Sequence, residues 1–158
     1  MIRRALVVAA WLLVAAAAGC SRREEPTPPA APTLAQDRAS LDGIVSADVA
    51  VEKLLKQADD LTAHGSDDEA IAVLEKQALP AIDLAITQAR NAAIAGAWGI
   101  ARRDEWMALF ADRRMETVRY AAAIRSGELE GRIAAMQAQV ALTRRAMAAA
   151  KAVQAGPP

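Results

Sequence analysis

One cysteine and one histidine in 158 residues leave little material for cofactors or nucleophiles. A single cysteine cannot form a disulfide within the chain, so the folded part must stand on packing alone. A c-type haem needs Cys-x-x-Cys-His and a di-iron bundle needs Glu-x-x-His pairs on facing helices; neither pattern occurs. His64 lies in the Gly-containing turn His64-Gly65-Ser66, off the apolar stripes, which makes a His–Met haem with Met107, Met115, Met136 or Met147 a poor fit. Methionines at helical spacing read instead as core filler. The group His64, Asp67, Asp68 and Glu69 lacks the alternating oxygen ligands and central glycine of a calcium loop. There is no Gly-x-Ser-x-Gly and no phosphate loop. Aromatics make up 3% of the chain and net charge is zero, which argues against a nucleic-acid groove lined with cations and stacking rings. No catalytic residue, metal ligand or cofactor is therefore expected, and the chain reads as non-enzymatic.

What is present begins at the first residue. Met1-Ile2-Arg3-Arg4 is a short positive segment, and Ala5 to Ala18 is uncharged and apolar. That run has the length of a signal-peptide core and is too short to span a bilayer, which takes about 20 apolar residues. Ala17-Ala18-Gly19-Cys20 resembles the lipobox of bacterial lipoproteins, in which small residues precede an invariant cysteine. Ala17 stands where that family most often has Leu. The resemblance implies removal of residues 1–19 and lipidation of Cys20, and so a partner in the membrane through the lipid anchor. Ser21, where an aspartate would favour the inner membrane, implies the outer membrane and its periplasmic face. Two or more acyl chains make such an anchor stable.

The remaining 139 residues suit one domain. Residues 20–36 read as the lipidated N-terminus and a tether, with Pro26, Pro28, Pro29 and Pro32 favouring extended backbone. Residues 37–156 read as the folded domain. Its first part, 37–95, carries 11 acidic and 5 basic side chains, a net of −6; residues 96–158 carry 6 and 10, a net of +4. An acidic half folding against a basic half accounts for this without a charged partner.

Alanine is abundant, and neither strand-forming clusters nor alternating apolar stretches appear. Breakers at His64-Gly65-Ser66, Gly96-Ala97-Trp98-Gly99, Ser126-Gly127 and Gly156-Pro157-Pro158 mark off four segments of about 28 residues, each about 40 Å long as a helix. This spacing predicts an all-α, up-down-up-down four-helix bundle. Apolar stripes are expected at Val51, Leu54, Leu55, Ala58 and Leu61 in the first helix, and at Ile71, Leu74, Ala78, Ile82, Ala85, Ile86, Ala89 and Ala93 in the second. The third uses Met107, Phe110, Val118, Ala121 and Ile124. The fourth uses Leu129, Ile133, Met136, Val140, Met147 and Val153, with Thr143 and Ala150 between, in nearly a seven-residue repeat. Ser66 and Glu69 match a capping box. Pro80 removes an amide donor and is expected to kink or break the second helix near Ala78–Leu79. Alanine faces bring helix axes close and leave little room for an internal cavity.

Beyond the first 20 residues every aromatic falls between Trp98 and Tyr120, among Arg102, Arg103, Arg113, Arg114 and Arg119. Aromatics with arginine are the composition of interface hot spots. Trp98, Trp106, Arg113 and Arg114 are accordingly the candidate partner-binding residues, against the simpler reading of core aromatics with arginines paired to Asp112 and Glu116. The functional expectation is a lipid-anchored envelope adaptor or structural protein that binds another protein or itself. The alternative is a carrier or sensor of a small apolar ligand or lipid between the helices.

Overall fold

The computed structural model describes residues 33–157. The expected signal peptide, Cys20 and the expected tether as far as residue 32 lie outside the described residues. The chain forms α1 (Leu34–Ala63), α2 (Asp67–Val73), a π turn (Leu74–Ala78), α3 (Leu79–Asn91), α4 (Ala97–Ser126) and α5 (Leu129–Ala155). Residues 67–91 act as one rod, so four helical rods make an all-α, up-down-up-down bundle. The antiparallel order is visible in its cross-links. The start of α1 meets the end of α5 through Arg38 Nη2 and the Gln154 carbonyl, 3.3 Å apart. The start of α2 meets the start of α5 through Asp67 and Arg132. No helix among the described residues is long and apolar enough to cross a membrane.

The helix starts at Leu34 rather than at residue 37, because Thr33 and Gln36 form a capping box that the tether reading passed over. Gln36 N–H donates to Thr33 Oγ1 (3.4 Å), and Thr33 N–H to Gln36 Oε1 (2.6 Å). The expected box at Ser66 does not form: the Ser66 side chain makes no capping bond. Asp67 there turns to Arg132, which grips it with both Nη atoms (3.2 and 2.6 Å) while Nη2 also donates to the Ile124 carbonyl (2.8 Å). Arg132 thus closes the end of α4 and ties it to α2 and α5. Two turns need a left-handed residue, Gly65 (φ 77°) and Gly127 (φ 70°). At each, the next amide reaches back to the carbonyl five residues earlier, Ser66 to Leu61 and Glu128 to Ala123, at 2.9 and 3.1 Å.

The interruption expected at Pro80 takes the form of the π turn. Backbone angles stay right-handed helical at Val73, Leu74, Ala78 and Leu79, and Leu79 N–H bonds the Leu74 carbonyl. Widening one turn accommodates the proline ring and its missing donor without ending the rod.

The core lies where α1, residues 67–91 and α4 meet, around Leu41, Ile44, Val51, Leu74, Ile82 and Phe110. Helix α5 packs chiefly on α4, touches α1 sparsely and has no close backbone approach to residues 67–91. The bundle is therefore open along the α1–α5 edge. Every ion pair joining the two halves of the chain takes its carboxylate from the first and its guanidinium from the second, as the charge division anticipates: Asp48 and Glu52 with Arg113, Asp67 with Arg132, Glu75 with Arg125, Asp83 with Arg114.

Candidate functional site

Helix α5 carries two ladders at helical spacing, the inner one stepping by threes and fours throughout and the outer one doing so with a single seven-residue gap from Val140 to Met147. Ala135, Gln139, Leu142, Ala146, Ala149 and Val153 are buried. Leu129, Ile133, Met136, Val140 and Met147 lie outside, between 42% and 69% exposed. Of the stripe expected to face the core, only Val153 is buried, so that expectation is overturned for the rest. The reason is visible on α4. Its buried residues nearest α5 include Thr117 and Arg113, whose partner Glu52 also meets Thr143, and these polar groups leave room for alanine and for a hydrogen-bonding amide. Gln139 Nε2 donates to Thr117 Oγ1 at 3.4 Å. The α4–α5 contact is the most extensive of any helix pair, and near the turn Gly131 lets α5 come close to Ala123: a Cβ on Gly131 would lie 3.2 Å from the Ala123 Cβ.

The expected aromatic–arginine face is also corrected. Trp106 and Arg113 are fully buried, and neither can meet a partner without unfolding. Trp98 is half-buried against the core. Arg114 alone is exposed, and its Nε holds Asp83 at 2.8 Å. Val118, assigned to the inner stripe of this helix, points outward, and Thr117 takes its place.

Arg113 is the centre of a buried polar cluster. Its Nε lies 2.9 Å from Asp48 Oδ1, and Nη2 contacts both Asp48 Oδ2 (3.4 Å) and Glu52 Oε1. Thr143 of α5 donates to the same Glu52 oxygen at 2.6 Å. The cluster sets two carboxylates against one guanidinium. Burial pushes the Asp48 carboxyl above the usual range, the nearby Glu52 charge adds to this, and Arg113 opposes it. Arg113 Nη1 and the Trp106 indole N–H are buried with no partner among the described residues. Between α1 and α5 runs an open groove of about 320 Å³ with an apolar wall of Val45, Val49, Met147 and Ala150, lined also by Trp106 and by Asp48, Glu52 and Thr143 of the cluster.

No family model, curated protein or solved structure matches this chain. The functional reading therefore rests on the geometry. His64 is exposed, with Nδ1 2.6 Å from the Asp60 carbonyl at the end of α1. Among the described residues no three His, Cys, Asp or Glu side chains converge as a metal site.

Two buried carboxylates escaped the sequence reading. Asp48 belongs to the ladder Leu41, Ile44, Asp48, Val51, Leu55, Ala58, and extending the Val51 stripe backward by threes and fours reaches it. Asp37, one turn before Leu41, accepts from Ala95 N–H (3.1 Å) and Gly96 N–H (2.9 Å), fastening the 92–96 connection to α1. Arg113 has the same signature in α4, where Trp106, Phe110, Arg113, Thr117, Tyr120 and Ile124 share one phase.

Proposed function

We propose that this chain is a lipid-anchored envelope protein, held through Cys20 at the periplasmic face of the outer membrane, that acts without catalysis as an adaptor. Its contact surface is the outward apolar ladder of α5. One observation carries this reading: five large apolar side chains of this helix, Leu129, Ile133, Met136, Val140 and Met147, are exposed, while the face turned inward holds mainly Ala135, Gln139, Ala146 and Ala149 with Leu142 and Val153. Exposed aliphatic residues scattered singly are ordinary, but five in line along one helix form a contiguous patch of the kind that marks an interface. Their three-four spacing is that of a helix prepared to meet another helix.

Two experiments test the reading separately. Cys20→Ala should release the protein from membranes; continued tight association would contradict the lipid anchor. A photo-crosslinking residue at Val140 in intact cells should give discrete protein adducts, whereas one at exposed Gln57 on α1 should give none. Equal labelling from both positions would contradict an interface on α5.

A second reading, carriage of a small apolar ligand, has the groove between α1 and α5 in its favour. Its apolar wall of Val45, Val49, Met147 and Ala150 suits the body of such a ligand, and Asp48, Glu52 and Lys53 on the same lining suit a polar end. Organic extraction of purified protein followed by mass spectrometry decides it: a stoichiometric lipid or metabolite supports carriage, and an empty extract removes it.

A further inference from the structure

Resting on the reading of α5 as an interface, we propose that the occupant of the seam is a second copy of this chain, with α5 packed antiparallel on α5 about a two-fold axis near Gln137. A seven-residue repeat assigns Ile133, Val140 and Met147 to position a, and Leu129, Met136, Thr143 and Ala150 to position d. Antiparallel pairing brings Met136 onto Val140 of the second copy, Ile133 onto Thr143, and Leu129 onto Met147. The overlap spans about 27 Å, and each layer occurs twice because a two-fold interface is self-complementary.

The flanking charges choose this register. On the open side of the seam, position e holds Glu130, Gln137 and Arg144, all exposed. Glu130 and Arg144 make no ion pair among the described residues, although most other arginines do. In the antiparallel pair e faces e, so Glu130 meets Arg144 of the second copy twice, and Gln137 meets its own counterpart on the axis. A parallel pair would set e against g. Of the g positions, Gln139, Ala146 and Val153 are buried within the subunit and Arg132 is already held by Asp67, so a parallel partner would leave the flanking charges unmatched.

The test is a charge swap on the full-length chain, read by sedimentation equilibrium in detergent micelles. Glu130→Arg or Arg144→Glu alone should weaken dimerisation roughly tenfold, by placing like charges at both ends of the seam. Glu130→Arg with Arg144→Glu should restore it. In parallel, Gln137→Cys should form a disulfide dimer on mild oxidation, while Gln57→Cys should not; Circular dichroism verifies that each variant is helical. A swap that fails to restore the dimer, or equal crosslinking from both positions, overturns the antiparallel register. A chain that is monomeric throughout, yet still gives protein adducts from Val140 in cells, overturns self-pairing and leaves the adaptor reading standing with a different partner. A monomer with no adducts overturns both.

Discussion

Residues 67–91 and α5 both pack against α4, with different materials. The first rod presents Leu74, Ile82 and Ala85 to a seam shared with Leu41, Ile44 and Phe110, so large apolar side chains interlock around an almost wholly hydrophobic interior. The second presents Ala135, Gln139, Leu142, Ala146 and Ala149 to a seam that includes Thr117 and the Arg113 cluster, and keeps Leu129, Ile133, Met136, Val140 and Met147 outside. One side is held by buried area; the other is held by close approach, hydrogen bonds and an ion cluster. Similar helical periodicity therefore serves two purposes, and only the second leaves a helix with something to offer a partner.

The sharpest way to break the comparison is at Arg113. Arg113→Ala should cost about 3–5 kcal/mol in denaturant unfolding, because Asp48 is left buried without its countercharge and Glu52 loses the same partner. Arg113→Met combined with Asp48→Leu should recover most of that loss, since a well-packed apolar pair replaces a costly buried ion pair. On the other side, Ile82→Ala should cost about 2–5 kcal/mol through lost transfer energy and the cavity left behind. The matching change in α5, Ala146→Gly, should cost only about 1 kcal/mol, mainly in helix propensity. Equal losses at Ile82 and Ala146 would show that the two sides are not different in kind.

Asp37→Ala should cost about 1–3 kcal/mol, by leaving the Ala95 and Gly96 amides without their acceptor. A smaller effect is expected with pH. Burial raises the carboxyls of Asp48 and Asp59 above the usual aspartate range, so the folded state holds protons more tightly than the unfolded chain. Their contribution is fully present below the ordinary value near about 4 and is lost as pH rises through the folded values. Unfolding free energy measured from acid toward neutral pH should therefore carry a downward component, and Asp48→Asn should flatten it. A component of the opposite sign would contradict the excess of buried negative charge in the Arg113 cluster. Smallest of all, Val140→Gln on the outer ladder should change the stability of the isolated subunit by no more than about 0.5 kcal/mol.

The number of rods, their lengths and the turns joining them were legible because glycine and proline sit at regular intervals and apolar residues recur at helical spacing. The first helix also showed its inner face at Val51, Leu55 and Ala58, which are buried. What hydropathy misread was which face of α5 turns inward. A ranking by side-chain size puts Ile133, Val140 and Met147 inside, but the space beside Thr117 and the Arg113 cluster is partly polar, and alanine and Gln139 fit it. The same rule hid Arg113 and Asp48, which share the phase of core residues but carry charge. Their positions become readable when the stripe is extended by spacing alone. Of the two readings that aromatics beside arginines allow for Trp106, a partner face or the core, the core one holds: its ring lies 5.8 Å from that of Phe110, tilted by 35°, inside the bundle.

The orientation of α5 can be tested directly by thiol labelling of dilute protein, with Val140→Cys or Leu142→Cys in a Cys20→Ala background. The outward ladder predicts that a thiol at position 140 reacts at close to the rate of an unfolded peptide. A thiol at position 142 should react only as fast as the domain opens. The reverse pattern, with position 140 protected and position 142 free, would show that α5 faces inward with its large apolar residues and would remove the surface on which the functional proposal depends.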